Sequence, residues 1–324
     1  MSALLHQLLD AQLPFAPEYL DGATANTDAK PPGGGAYASH RPMALQALAS
    51  LGASDAQLQA FLDQQPPIPL RARWPALDAA EQRLRLELQQ QGAGTVLARL
   101  LPERLAHAGA VAFHGLIRTA HAWESGHPGE LALAMAWWLQ RDQPLPVLHV
   151  NPQLHLADWW AALLTLPAPE GMPQAWIAQR MQAWVQTPGF IRIAPQLRLE
   201  ADGLQQLAAL ALRAYADSGN FTILHLVTAS RALQVLGPFI PPEACDAALR
   251  DFSLHAAAGL LASRWRGSAL ATLPPWDWPA LLTAACASSH DHSIKLVHAA
   301  RHWQQQGLDD TLCRSAATRA LHKA

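Results

Sequence analysis

A chain of 324 residues, half of them hydrophobic, can bury a large core, and 23 Lys plus Arg against 25 Asp plus Glu leave a formal net charge of −2 with no basic field. Neither a nucleic acid nor an anionic membrane surface is therefore expected as a partner. No stretch approaches the ~18 uninterrupted apolar residues of a membrane span, and MSALLHQLLDAQLPF lacks a basic leader pattern, so a soluble, cytoplasmic protein is expected.

Apolar residues recur at intervals of three and four along most of the chain, and sustained alternation is scarce, which predicts an all-α fold. The first helix is predicted over 2–13. The stretch from Pro14 to His40, with Pro31, Pro32 and Gly33 to Gly35, cannot hold regular structure, so residues 1–41 read as a helix followed by an irregular arm. Pro42 suits the first turn of a helix running through MALQALASL to Gly52, and Ser54 can cap the next, DAQLQAFL. Further helices are predicted at about 78–91, 104–125, 129–141, 154–165, 173–185, 201–217, 220–236, 242–264, 278–288, 291–306 and 309–322. VLHV (147–150) and FIRIAP (190–195) read as short extended pieces. With no fixed-period repeat and no composition break, residues 42–324 are expected to form one multi-helix core around a central pocket.

The three cysteines, Cys245, Cys286 and Cys313, lie far apart with no CxxC spacing, which suits a reducing compartment and small buried side chains. Fifteen histidines and twelve tryptophans carry more information: imidazole ligates metals and moves protons near neutral pH, and indole builds flat apolar walls. On the predicted 104–125 helix His107, His114 and His121 are spaced by seven and share a stripe, with Arg118 beside it. His225 sits in FTILHLVTASRAL behind a capping Asn220, with Thr228 one turn on. His40 precedes Arg41 and Pro42 at the mouth of a helix. His292 and Lys295, in SSHDHSIKLVHAA, share a helix face. A lone buried histidine usually bonds a carbonyl or a water, yet four distant segments repeat one theme. Lys295 either snorkels to solvent or pairs with Asp291, or is neutral or converted by CO₂ to a carbamate able to ligate a metal.

The pieces PEYL leading to HRPMALQALASLGA, GAVAFHGLIRTAHAW with ELALAMAWW, FTILHLVTASRAL and HDHSIKLVHA resemble, in that order over roughly residues 17–300, the questin oxidase-like family. Its members include fungal enzymes that open an anthraquinone ring by oxygen insertion. Arg41, where the family commonly has an apolar residue, the position near His121 where it commonly has an aromatic, and the Gly- and Pro-rich arm depart from the pattern. The resemblance implies an oxidative role and carries over His40, His114, His225, His292 and Lys295 as matched positions.

Triplet dioxygen reacts slowly with organic molecules, so an oxidase needs a redox metal, an organic cofactor or an electron-rich substrate. No GxGxxG follows a predicted strand, which argues against a Rossmann-type flavin or nicotinamide domain. Imidazoles suit iron. The leading expectation is Fe(II) held by His40, His114, His225 and His292 with Lys295 completing or tuning the sphere, acting with dioxygen on an aromatic quinone or polyketide-like substrate. Thr228 can bond near the site or its own backbone, and Arg118 can hold a substrate anion or pair with Glu124 or Glu130. His107 and His121 are candidate supports for the ligands. One member of each pair Trp137/Trp138 and Trp159/Trp160 is expected to line a cavity while the other meets a neighbouring helix. Two other readings remain: a helical protein that binds an aromatic ligand without turnover, and a metal-free oxidase with NADPH as external reductant.

Overall fold

Helix-forming periodicity is borne out along the chain. The computed structural model describes residues 3–19, 37–65, 73–146, 148–172 and 176–322, and among these sixteen α-helices make up nearly all the regular structure. In chain order they are α1 (Ala3–Asp10), α2 (Arg41–Ser50), α3 (Asp55–Asp63), α4 (Pro75–Gln91), α5 (Ala93–Leu105), α6 (His114–Ser125), α7 (Pro128–Trp138) and α8 (Leu156–Leu164). Then follow α9 (Ile177–Val185), α10 (Pro188–Ile193), α11 (Gly203–Ser218), α12 (Phe221–Leu236), α13 (Cys245–Ala262), α14 (Trp278–Ala287), α15 (Asp291–Gln305) and α16 (Asp310–His322). The two ends of the N-terminal arm meet in a two-residue antiparallel ladder, β1 (Glu18–Tyr19) with β2 (Tyr37–Ala38). Most of the predicted arm, including Pro31, Pro32 and Gly33 to Gly35, lies outside the described residues. Among the described residues no helix is long and apolar enough to cross a membrane.

Local signals read from the sequence hold where side chains cap the helices. Ser54 and Gln57 form a reciprocal capping box at α3, and Asn220 caps α12. Two expectations fail. The predicted 104–125 helix is two helices: α5 ends at Leu105, and turns occupy 106–113 before α6 starts at His114. His107 therefore does not share a stripe with His114 and His121. FIRIAP is not extended, because Thr187 accepts the Phe190 N–H (3.2 Å) and Pro188 opens the short helix α10. Trp137, Trp138, Trp159 and Trp160 are all buried, since their helices have neighbours on more than one side. Cys245 is exposed, while Cys286 and Cys313 are buried as expected.

At the centre α2, α6, α12 and α15 close a ring, each packed against the next. The other helices wrap it: α7 lies on α6 and α4, α11 on α12 and α16, α13 on α12 and α9, and α16 on α15. α12 is buried on nearly every face, as a helix inside a helical shell must be. Close approach of α6 to α7 depends on Gly115, where a Cβ would stand 2.5 Å from Trp138 Cδ1. Gly115→Ala should destabilise the fold by about 1–3 kcal/mol through overpacking. Urea unfolding followed by circular dichroism checks this, and an unchanged midpoint would mean that Trp138 moves aside freely.

Candidate metal centre

Each of four histidines enters the interior from a different helix of the ring. His40 is the N-cap residue of α2, with Pro42 in the first turn fixing the entry of the chain. His225 stands one turn into α12, whose start is set by Asn220 Oδ1 accepting the N–H groups of Thr222 (2.9 Å) and Ile223 (3.2 Å). His292 is the second residue of α15. His114 opens α6 directly after Val111, Ala112 and Phe113, whose φ angles are 50°, 53° and 69°. Three successive non-glycine residues in the left-handed region cost about 1–3 kcal/mol each. That turn delivers the Val111 carbonyl to within 2.6 Å of His114 Nδ1.

The rings gather at one place. His40 and His114 stack with centroids 4.7 Å apart and planes 13° apart, and their Nε2 atoms are separated by 2.8 Å. His292 lies edge-on to His40 at 4.3 Å, and His225 is 4.9 Å from His114 and 5.7 Å from His292. Ligand atoms of His40, His114 and His292 all fall within 4.8 Å of one another. The exposed Phe221 ring lies against His225 and His292, at 5.0 and 4.7 Å.

Hydrogen-bond accounting fixes the tautomers. His114 Nδ1 faces the Val111 carbonyl and His225 Nδ1 the Phe221 carbonyl at 2.9 Å. His40 Nδ1 and His292 Nδ1 share one carboxylate, Asp291, at 2.9 Å to Oδ2 and 2.6 Å to Oδ1. These oxygens only accept, so each Nδ1 carries a proton and each neutral ring keeps its lone pair on Nε2. Two lone pairs opposed at 2.8 Å repel unless a cation lies between them. His292 Nε2 is moreover buried with no hydrogen-bond partner among the described residues.

A proton is poorly suited to that place. Burial, then the charge of Lys295, lowers the pKa of His40; burial and then His40 put those of His114 and His292 well below the ordinary value; burial and Lys295 bring His225 down to about 3. A metal ion suits it better, because metal-binding histidines almost always give their second N–H to a carbonyl or carboxylate. Bonds of about 2.0–2.1 Å to one ion put neighbouring nitrogen donors roughly 3 Å apart. Burial opposes the charge of Asp291, but the His40 and His292 rings outweigh it and hold the carboxyl well below the usual range. His290, Asp291 and His292 form a second grouping of possible donors. His290 is exposed, however, and both Asp291 oxygens are already committed to ring N–H groups.

Lys295 is 2 % exposed, so it does not snorkel, and among the described residues it forms no ion pair with Asp291. Burial pushes its pKa down to about 8, and its charge depresses all four histidines. The other two predicted site residues are engaged elsewhere. The Thr228 hydroxyl donates to the carbonyls of Leu224 and His225 in its own helix (3.2 and 3.3 Å). Arg118 is locked to Glu130 by two bonds of 2.7 and 3.0 Å, with both side chains 2 % exposed.

Further along the ring's interior lies a second polar layer that the sequence reading largely missed. His121 Nδ1 donates to Gln46 Oε1, and its ring is 5.5 Å from that of His298. Arg231 Nη2 donates to His298 Nε2 at 3.3 Å and pairs with Glu124. His107 is remote from both layers, its Nδ1 accepting the Gln143 N–H at 3.1 Å. The available signal was spacing: His292, Lys295, His298 and His302 follow one another at intervals of three, three and four on α15, and His225, Thr228 and Arg231 at intervals of three on α12. The chain matches none of the family models compared with it and no curated protein.

The lowered histidine pKa values have a definite sign. A ring buried neutral binds its proton less readily in the folded state than in the unfolded chain, where the value is about 6.5. Its stabilising contribution is complete above pH ~6.5 and is lost as the pH falls towards the folded value, about 3 for His225 and about 4 for His255 and His302. The metal-free protein should therefore lose stability from pH 7 to 5, with a slope of up to about 1.4 kcal/mol per pH unit for each such ring. Urea midpoints measured in the presence of a chelator test this, and a midpoint that rises on acidification contradicts it.

Proposed function

We propose that the four histidines hold a single transition-metal ion and that the protein is a metal-dependent oxidoreductase, an oxygenase or oxidase. The observation that carries the metal is the ring geometry: four Nδ1 atoms facing oxygen acceptors, with the Nε2 atoms of His40 and His114 2.8 Å apart. All-imidazole donors favour iron, copper or zinc over magnesium or calcium, and we assign Fe(II). When bound, it would supply the single-electron steps that triplet dioxygen requires. The resemblance of the His40, His114, His225 and His292 segments to the questin oxidase-like family supports a reaction of Baeyer–Villiger or ring-cleaving type on an aromatic quinone or polyketide-like substrate. Free cysteines suit a reducing, cytoplasmic setting in which iron stays ferrous.

The chain's own residues supply position and charge. Asp291 orients two imidazoles together and offsets the positive charge of the site. Lys295, with its pKa near 8, has a neutral fraction at neutral pH. Its amine nitrogen can attack CO₂, forming a C–N bond and releasing one N–H proton, and the resulting carbamate oxygens become a donor in place of a repelling ammonium. The Phe221 face gives an aromatic substrate a stacking surface beside the ligand rings.

Freshly purified wild-type protein should contain about one equivalent of transition metal by elemental analysis, and His225→Ala should lose most of it. Asp291→Asn, which must present an amide N–H to one of two ring N–H groups, should weaken metal binding about 10–100-fold in competition with a chelator. Equal metal content in all three proteins would remove the assignment. Metal without oxygen uptake on hydroxyanthraquinones favours a ligand-binding protein without turnover. Full NADPH-dependent oxidation after exhaustive chelation favours the metal-free oxidase.

A further inference from the structure

A cleft of about 870 Å³ opens where the C-terminal end of α6 meets α4, α5 and α7. Its size falls within the range of small-molecule sites. Leu88, Ala93, Trp123 and Leu131 form its walls, with Arg85 and Glu124 among its polar lining. Neither the metal site nor its chemistry uses this cavity: Glu124 is ten residues along α6 from His114, a rise of roughly 15 Å.

Glu124 is the informative residue. It is about a quarter exposed, and among the described residues its carboxylate is held by Arg231 Nη2 alone. Arg231 is 2 % exposed, and its Nε and Nη1 have no acceptor among the described residues. A guanidinium is a planar fork built to grip a carboxylate through two nitrogens, so a one-nitrogen contact leaves much of its donor capacity buried and unmet. Glu124 lines the cleft and touches that fork, while Arg231 itself is not part of the lining.

We propose that the cleft binds an amphipathic carboxylic acid. Its apolar body lies against Leu88, Trp123 and Leu131, and its carboxylate takes over Arg231 from Glu124, engaging two guanidinium nitrogens. Arg85 on the lining is already paired with Glu81 (2.6 Å), so Arg231 is the guanidinium that the carboxylate engages. A cationic amphiphile fits less well, because it would compete with Arg231 for Glu124 and leave the unmet N–H groups as they are.

Isothermal titration of the purified full-length protein with octanoate and with octan-1-ol tests the assignment, and adding or stripping metal should change neither result. Octanoate should bind, and octanol, of the same apolar length, should bind at least about tenfold more weakly. Glu124→Gln should strengthen octanoate binding several-fold, since the ligand no longer displaces a charged competitor, and Arg231→Gln should abolish it. Should Arg231→Gln fail to fold, Glu124→Gln and the alcohol decide. Equal binding of the acid and the alcohol overturns the proposal. So does Glu124→Gln binding that is unchanged or weaker, or wild type that takes up no octanoate at millimolar concentration.

Discussion

A hydrogen bond from imidazole Nδ1 to an oxygen that can only accept governs the centre of this protein. Once four such bonds are made, the tautomer of each ring follows, and with it the position of each lone pair. Several costly features serve that one end. The left-handed turn over Val111, Ala112 and Phe113 stores strain and delivers a carbonyl to His114. Asp291, a largely enclosed carboxylate, spends both oxygens on His40 and His292. Pro42 and Asn220 fix where α2 and α12 begin, so His40 and His225 cannot slide along their helices.

An interior lined with imidazole, ammonium and guanidinium conflicts with a hydrophobic core, and the fold separates the two by layers. The ring of α2, α6, α12 and α15 turns polar faces inward, while the surrounding helices supply the apolar burial that stabilises the whole. Some buried polar groups find partners inside the shell: Arg118 Nε and Nη2 with Glu130, and His121 with Gln46, whose amide in turn donates to Ser50. Unmet buried groups occur at several places among the described residues, and at two of them, His292 Nε2 and Arg231 Nε and Nη1, a histidine cluster or a cleft-lining carboxylate lies alongside. The two deficits lie at different levels of one helical ring, so metal chemistry and the cleft can be separated by mutation.

The residues of the candidate site were far more legible than its geometry. Histidines on otherwise apolar helices pointed to His40, His114, His225 and His292, and helical spacing pointed to Lys295; these five gather in one neighbourhood. Thr228 and Arg118 shared the same signal and turned out to satisfy their helix backbone and a neighbouring carboxylate, because spacing cannot distinguish an inward face from a lateral one. Asp291 was passed over as a partner for Lys295, since nothing local shows that His40, 251 residues away, will bond it. The break before His114 was equally hidden. Left-handed turns usually announce themselves with glycine, and Val111, Ala112 and Phe113 instead read as a continuing apolar helix.

The sequence by itself determined the helical fold, most helix starts, and which helices carry imidazole or amine groups on otherwise apolar faces. Those properties arise from periodicity and capping, which act over a few residues. Only the tertiary structure decided which donors meet, that Asp291 serves the ring of His40 as well as its neighbour's, and where Arg231 is left with unmet N–H groups behind Glu124. These depend on contacts between residues tens to hundreds of positions apart, and no short-range rule of chain conformation encodes them.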